Sequence, residues 1–307
     1  MQSKRVLVLI AALMCATAAG ADIDVVQEHT FDASPGQTVS IDVSFHRVDV
    51  IVEPGSRVHA IVELSTNSSS RKAEKAMEEL APVFQEKGDT LIIRSSRKGG
   101  WSSWWGGNIK GRVTVTMPPD LDLAIDSSSG SVTIDGDLGD GSVECDASSG
   151  SVSIRGAMRD LSVDTSSGST RVELTRPLDS FSADASSGSV RLSGGANRVS
   201  VDTSSGSINL DGLRGDASLD ASSGSITAQW DSIPPRATID AGASSGSVTI
   251  RLPTGTEVSG SASTGSGGIR SDFPGSFDRD NARFSGGPDA VEVRLSTSSG
   301  SVKVLAD

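Results

Sequence analysis

The sequence predicts an all-β fold, a β-solenoid in which each coil takes 18–22 residues. Three observations predict it. The stretch Asp164-Thr165-Ser166-Ser167-Gly168-Ser169 recurs from Ile125 to the end of the chain. Its glycines Gly130, Gly150, Gly168, Gly188, Gly206, Gly224 and Gly246 follow one another at 20, 18, 20, 18, 18 and 22 residues. A near-constant period of this size marks a repeat architecture. The flanks of the motif alternate in polarity: Val163 and Thr165 around Asp164, then Val190 and Leu192 around Arg191. A period of two belongs to strands with one buried face. Finally, four Trp, seven Phe and no Tyr in 307 residues suit a narrow core of Val, Ile, Leu and Ala better than a large globular one.

One repeat reads as strand, tight arc, strand, loose arc. Ser-Ser-Gly-Ser supplies the tight arc, and its glycine is expected at positive φ, where Gly pays no steric cost. The loose arc carries Gly136, Gly156, Gly194, Gly195, Gly212 and Gly215. A single unit cannot bury its own apolar arm, but stacked units build a continuous thin core. The rival arrangement is an antiparallel meander closing into a sandwich or barrel, with Ser-Ser-Gly-Ser as hairpin turns.

From the start of the chain, residues 1–21 read as a secretory signal. Lys4 and Arg5 form the basic region, Val6 to about Ala16 the apolar run, and Ala19 and Ala21 the small residues before a cut. The apolar run is too short for a membrane span. Cys15 follows Met14, where a lipidation signal wants a small residue. Cleavage after Ala21 leaves a chain beginning at Asp22 and takes the net charge from −12 to −14. An acidic exported chain without a basic stripe argues against nucleic acid and against anionic lipid surfaces as partners. Only Cys145 survives cleavage, in the slot filled elsewhere by Val163 or Val201, so it is expected to be a small buried apolar residue.

Residues 22–118 form the first coils and an end cap. Alternation predicts strands at Thr38–Val43, Val48–Val52, Val58–Val62, Thr90–Ile93 and Val113–Thr116. The one helical stretch runs from Ser70 to about Gln85, with Ala73, Ala76, Met77, Leu80 and Val83 or Phe84 on one face. The repeats occupy residues 119–307. A degenerate copy, GSASTGSGGI, starts at Gly260 and puts its motif glycine at Gly265. Residues 271–288 then interrupt the series with Phe273, Pro274, Phe277 and Phe284, as an insertion folding over the end. LSTSSGSVKV, with Gly300, is expected to close the solenoid.

The chain resembles the bacterial putative-adhesin family, a domain of unknown function. The resemblance rests on VTVTMPPDLDLAIDSSSGSVTI from Val113, the serial SSGSV units, ASTGSGGIRSDFP from Ala262 and the final LSTSSGSVKV, and covers roughly Phe31 to the end. It implies a β-helix-like solenoid in the cell envelope, periplasmic or at the surface. It implies no reaction, ligand or partner.

Two sets of residues are candidate sites. Asp126, Asp146, Asp164, Asp184, Asp202 and Asp220 would stack as a ladder at the spacing of neighbouring strands, about 4.8 Å. Like charges at that distance repel by roughly 0.9 kcal/mol in water and roughly 3.5 at an effective dielectric of 20. A hydrogen-bonded or solvated structural ladder is favoured over a metal site, since Ca²⁺ wants six to eight oxygens. Trp101, Trp104 and Trp105, in a Gly/Ser setting, form the candidate ligand-binding surface. The repeated serines are turn residues rather than nucleophiles, because His29, His46 and His59 all precede the repeats and no nucleophile elbow is present. No cofactor motif occurs. The expectation is a non-enzymatic binding or scaffold module meeting an envelope glycan or protein. The alternative is a polysaccharide-acting β-helix enzyme.

Overall fold

The computed structural model describes residues 23–68, 71–95 and 109–307. The predicted signal segment therefore lies outside the described residues.

The N-terminal part supplies β1 (Ile23–Asp32), β2 (Thr38–Val43), β3 (Arg47–Val52), β4 (Arg57–Thr66), α1 (Arg71–Glu79), β5 (Val83–Lys87), β6 (Thr90–Ser95) and β7 (Ile109–Met117). The repeats follow as strand pairs: β8 and β9 (Asp122–Ser127, Val132–Asp137), β10 and β11 (Val143–Ala147, Val152–Ala157), β12 and β13 (Asp160–Thr165, Thr170–Leu174), β14 and β15 (Ser180–Ala185, Val190–Ser193). Then come β16 and β17 (Arg198–Thr203, Ile208–Leu213), β18 and β19 (Asp216–Ala221, Ile226–Trp230), β20 and β21 (Thr238–Ala243, Val248–Leu252). The C-terminal part holds β22 (Val258–Thr264), β23 (Ile269–Ser271), β24 (Gly275–Phe277), β25 (Asn281–Ser285), β26 (Val291–Thr297) and β27 (Val302–Ala306).

The arm before each tight arc joins one sheet and the arm after it joins the other. Sheet I has 13 strands in the order β1-β4-β7-β3-β9-β11-β13-β15-β17-β19-β21-β27-β23. Sheet II has 14, in the order β24-β25-β22-β26-β20-β18-β16-β14-β12-β10-β8-β2-β6-β5. Successive repeats pair in parallel, with Val163 beside Cys145 and Ala183, and Val172 beside Ile154 and Leu192. The tight arcs bond from coil to coil, as in Ser167 N–H to Ser148 O at 3.0 Å and Ser187 N–H to Ser166 O at 3.0 Å. This is a solenoid and not a meander of hairpins. Inward side chains of both sheets form one continuous apolar cluster, from Phe31 to Val304. Cys145 lies in it, fully buried, with its thiol pushed up to about 12 by loss of water and then by Asp146. Trp230 is buried too, its indole N–H donating to Gly215 O at 2.9 Å.

The structure corrects the sequence reading in four places. The motif glycines do not have positive φ. That backbone belongs to the loose arc, as at Gly194 (φ 93) and Gly195 (φ 87), and to the strand ends that lead into it, as at Gly136 (φ 125) in β9. What demands glycine in the tight arc is stacking: a Cβ on Gly206 would lie 1.8 Å from Gly188 O, and one on Gly168 would lie 1.8 Å from Gly150 O. Second, the helix ends at Glu79, and Val83–Lys87 is β5, antiparallel to β6. Pro82 forbids helical continuation there. Val83 is exposed, while Met77 and Leu80 pack with Leu64 in a small separate cluster. Third, the degenerate copy has its register at Gly267, not Gly265. Thr264 pairs Thr297 and Ile269 pairs Val302, so Gly265 faces Ser298, and a Cβ on Gly267 would lie 1.8 Å from Gly300 O. Fourth, the final copy does not close the stack. β26 and β27 slot between β20/β21 and β22/β23, which leaves the degenerate copy outermost.

The N-terminal end has the same exchange. β2 and β3 sit against the first repeat strands β8 and β9, while β6 and β7, later in sequence, lie outside them. Beyond β7, β4 and β1 extend sheet I by antiparallel pairing. The edge strand β1 was not read from the sequence. Between β23 and β26, β24 and β25 form an antiparallel pair that extends sheet II from β22. Phe273 and Phe284 are buried there, and Phe277 stands edge-on to Phe284 at 6.0 Å.

Candidate functional site

Parallel pairing in a common register makes columns of equivalent residues on the outer face of each sheet. On sheet II the aspartates of the motif form one such column. Asp126, Asp146, Asp164, Asp184, Asp202 and Asp220 are register partners in sequence. The column extends one rung further, to Asp42, whose partner is Asp126. Sequence reasoning missed Asp42 because β2 lacks the Ser-Ser-Gly-Ser arc. The signal was there in Ser40-Ile41-Asp42-Val43, which alternates as Ala124-Ile125-Asp126-Ser127 does. Beyond Asp42 stands its register partner Arg94, whose guanidinium donates to Asp42 Oδ2 at 2.8 Å. At the other end the column runs into Gly242 and Ser296.

No basic side chain pairs with the six motif aspartates among the described residues, so they act on one another. Asp126, Asp146, Asp184 and Asp220 all have carboxyls raised above the usual range. Loss of water is the first cause in each. Neighbouring carboxylates come next: Asp42 for Asp126, Asp164 for Asp146 and for Asp184, Asp202 for Asp220. The carboxylates form a line and not a cage; among the described residues no group of acidic, His or Cys side chains converges as a metal site.

The next column on sheet II is a row of small hydroxyls. Ser162, Ser182, Ser200 and Ser218 are register partners. Because these side chains are short, the face is shallowly grooved along the solenoid axis. The groove is an open depression of about 470 Å³, with Ser182, Ser200 and Ser218 in its floor and Arg198, Asp216 and Asp240 along it.

On sheet I the matching column is mixed: Asp49, Thr133, Ser153, Arg171, Arg191, Asn209 and Thr227 are register partners in turn. Its outer column runs Arg171, Arg191, Asn209, Thr227, Thr249, Lys303, Arg270, each residue paired in register with the next. In the other direction from Arg171 it passes through Ser153 and Thr133 to the carboxylate of Asp49. Arg155 and Arg171 share Glu173, at 2.8 and 2.6 Å, and Arg47 and Arg112 share Asp49. Arg191, Lys303 and Arg270 have no carboxylate partner among the described residues.

A Ser–His contact that the sequence did not predict lies under the N-terminal end. Ser95 Oγ donates to Leu80 O at 2.5 Å and accepts from His46 Nε2, 3.0 Å away. Both residues are shut from solvent, at 1% and 0% exposure, so no substrate reaches the pair. His46 Nδ1 has no partner, and burial lowers the imidazole to about 4. The pair fills the space between the β2–β3 arc and β7, where a Cβ on Gly111 would meet His46 Cδ2 at 2.3 Å. It serves packing. Trp101, Trp104 and Trp105 lie outside the described residues, in the segment joining β6 to β7.

The profile of the Toastrack DUF4097 family matches residues 38–305. No curated protein matches the chain. Among solved structures, a putative adhesin from Bacteroides fragilis is 12% identical with a TM-score of 0.45, over 91% of this chain and 97% of that one. A putative lipid binding protein from Parabacteroides distasonis is 14% identical with a TM-score of 0.45, over 91% and 96%. A putative cell adhesion protein from Clostridium sporogenes is 11% identical with a TM-score of 0.24, over 92% and 100%.

Proposed function

The chain belongs to the Toastrack DUF4097 family, and from that premise we propose that it is a non-enzymatic binding or scaffold module of the adhesin-like kind, exported to the cell envelope. Its contact surface is the outer face of sheet II, and its partner is a glycan or protein of the envelope. The observation that carries this reading is the regularity of that face: one column of unpaired carboxylates beside one column of serines, repeated rung by rung. Such a face suits an extended partner that repeats along its own length, contacted weakly at each rung and firmly over many. The groove above Ser182, Ser200 and Ser218 is open rather than enclosed, which favours a chain-like partner over a small molecule. The segment holding Trp101, Trp104 and Trp105 supplies a second contact in this proposal, since aromatic anchors dominate binding surfaces.

The test is binding and turnover against a panel of envelope glycans and envelope fragments. Wild type should bind without releasing product. Ser200→Trp, which fills the groove, should lose binding while the melting temperature holds. Alanine at all three tryptophans should weaken binding with little change in stability. Product release would favour the polysaccharide-acting enzyme instead. Binding unchanged in Ser200→Trp would remove sheet II as the contact surface.

A further inference from the structure

We propose that a depression at the loose arcs of the first coils, lined by Asp120, Asp122, Asp140 and Arg159, binds a neutral, hydroxyl-rich ligand of the size of one sugar ring. It shares no residue with the groove over Ser182, Ser200 and Ser218, so it stands or falls apart from the reading of that groove.

The depression has a volume of about 340 Å³, near the lower end of small-molecule sites, roughly 300–1,000 Å³. It opens where the chain enters four neighbouring strands of sheet II. Gly36 lines it ahead of β2, and Asp120 and Asp122 line it at the start of β8. Asp140 and Gly141 come ahead of β10, and Arg159 ahead of β12. Backbone bonds tie these entries together, as in Gly36 N–H to Asp120 O at 2.9 Å and Arg159 N–H to Gly141 O at 3.0 Å.

Three of the charged side chains are fixed by part of their own hydrogen-bonding capacity. Asp120 Oδ1 accepts from Asp140 N–H at 3.1 Å, and Asp122 Oδ1 from Ser142 N–H at 2.9 Å. Asp120 has φ 62, a backbone that Asp adopts more readily than most residues. Gly139 sits tight on it: a Cβ there would lie 2.2 Å from Asp120 Oδ1. Arg159 Nε donates to Asp160 Oδ2 and its Nη2 to Ser142 Oγ, both at 2.8 Å. What remains is Oδ2 of Asp120 and of Asp122, the Asp140 carboxylate, and Arg159 Nη1. Groups already held in place cost a ligand little to order.

Their chemistry selects the ligand. The carboxylates do not converge on one point, since no acidic group among the described residues gathers as a metal site, so a bare cation finds no cage. An ammonium group carries donors only and would meet Arg159, and beyond it Arg176, which stands 3.8 Å from Asp140. An anion would meet three carboxylates. Asp160 first, with Asp122 and Asp140 adding to it, holds the Arg159 guanidinium above its ordinary value, so the two signs face each other across the depression. A hydroxyl both donates and accepts. Neighbouring hydroxyls on one ring can donate to Asp120 and Asp122 while accepting from Arg159.

Amide NMR of the full chain tests this, with glucose, galactose, mannose and N-acetylglucosamine as neutral probes and glucosamine and galacturonate as charged ones. At least one neutral sugar should give saturable shifts centred on Gly36, Asp140, Gly141 and Ser142. It should bind more tightly than either charged probe, and equally at about 0.01 M and about 1 M salt, since screening acts only on charges. Asp122→Asn keeps an oxygen for Ser142 N–H and turns the free acceptor into a donor. It should weaken binding roughly tenfold or more, the worth of a hydrogen bond to a charged group. Asp140→Asn, at an exposed residue, should weaken it too, with the remaining amide spectrum as for wild type. Ser200→Trp should leave it unchanged. The proposal is overturned if no neutral sugar gives saturable shifts there, if a charged probe binds more tightly, or if neither aspartate substitution weakens binding. Loss of sugar binding in Ser200→Trp would place the sugar in the groove and overturn it as well. If sugars leave the depression untouched while Ser200→Trp still abolishes envelope binding, this inference falls and the reading of sheet II stands.

Discussion

Gly206 shows how one residue type serves two unrelated purposes in this chain. Its φ is ordinary, and yet a Cβ there would overlap Gly188 O at 1.8 Å. Gly36 has φ +82, with open space around a Cβ. Gly206→Ala should cost more than roughly 2 kcal/mol, because two backbones must part and overpacking costs about 1–3 kcal/mol or more. Gly36→Ala should cost roughly 1–2 kcal/mol, the ordinary penalty of a left-handed residue. Urea unfolding of the two variants checks the order. Equal losses would mean that the arcs relax freely. His46 gives a second prediction at this scale. The unfolded chain takes up a proton near pH 6.5, the folded chain only near 4. Between these values the unfolded state binds more protons, so stability falls as the pH drops through the window, by up to about 3 kcal/mol. Protonation would also force a second ring donor, Nδ1, into a site that offers it no acceptor. His46→Gln, unfolded by urea across pH 4–7, should lack this slope, whatever its stability at pH 7.

The Asp column behaves as one element, and its pH dependence has the other sign. Carboxyls raised by burial and by one another bind protons more readily folded than unfolded, so their contribution improves as the pH falls into the carboxylate range. Asp164→Asn removes the neighbour that raises both Asp146 and Asp184. Their titrations, followed by NMR, should move down toward ordinary values. Stability at pH 7 should rise by less than about 1 kcal/mol, since exposed charges are screened. Titrations that stay in place would mean that loss of water alone raises them.

Over the whole molecule, the exchange of coil order at the C-terminal end decides where the stack comes apart. β26 and β27 are near the end of the chain, yet they have a strand on either side in both sheets. Termini ordinarily open first. Here amide hydrogen exchange should find Val293 and Val302 as slow as Ile239 and Val248, with β23, β24 and β25 exchanging far sooner. Early exchange in β27 would show that the inserted coil is held no better than a free end. The chain leaves β21, builds the outermost coil, and only then returns to fill the layer beneath it. The last layer of the core is therefore closed by Ala262, Phe273 and Phe284 from earlier in the sequence.

The period of the Ser-Ser-Gly-Ser copies, the alternation beside them and the shortage of aromatic residues were enough to predict a solenoid, its parallel strands and the column of aspartates. All of these repeat locally, and a local repeat needs only one solution, applied again and again. Coil order at the two ends was not legible. A strand is compatible with any neighbour in the stack, and only the fit of whole layers chooses between them. The true glycine of the degenerate copy was hidden for the same reason, because Ser263-Thr264-Gly265-Ser266 matches the motif locally while pairing with β26 and β27 selects Gly267. Asp42, Arg94 and the His46–Ser95 contact likewise come from segments far apart in sequence. Side-chain chemistry and period are properties of the sequence alone. Which rung meets which, and so which charges are left unpaired on the two faces, is settled only when distant segments share a register.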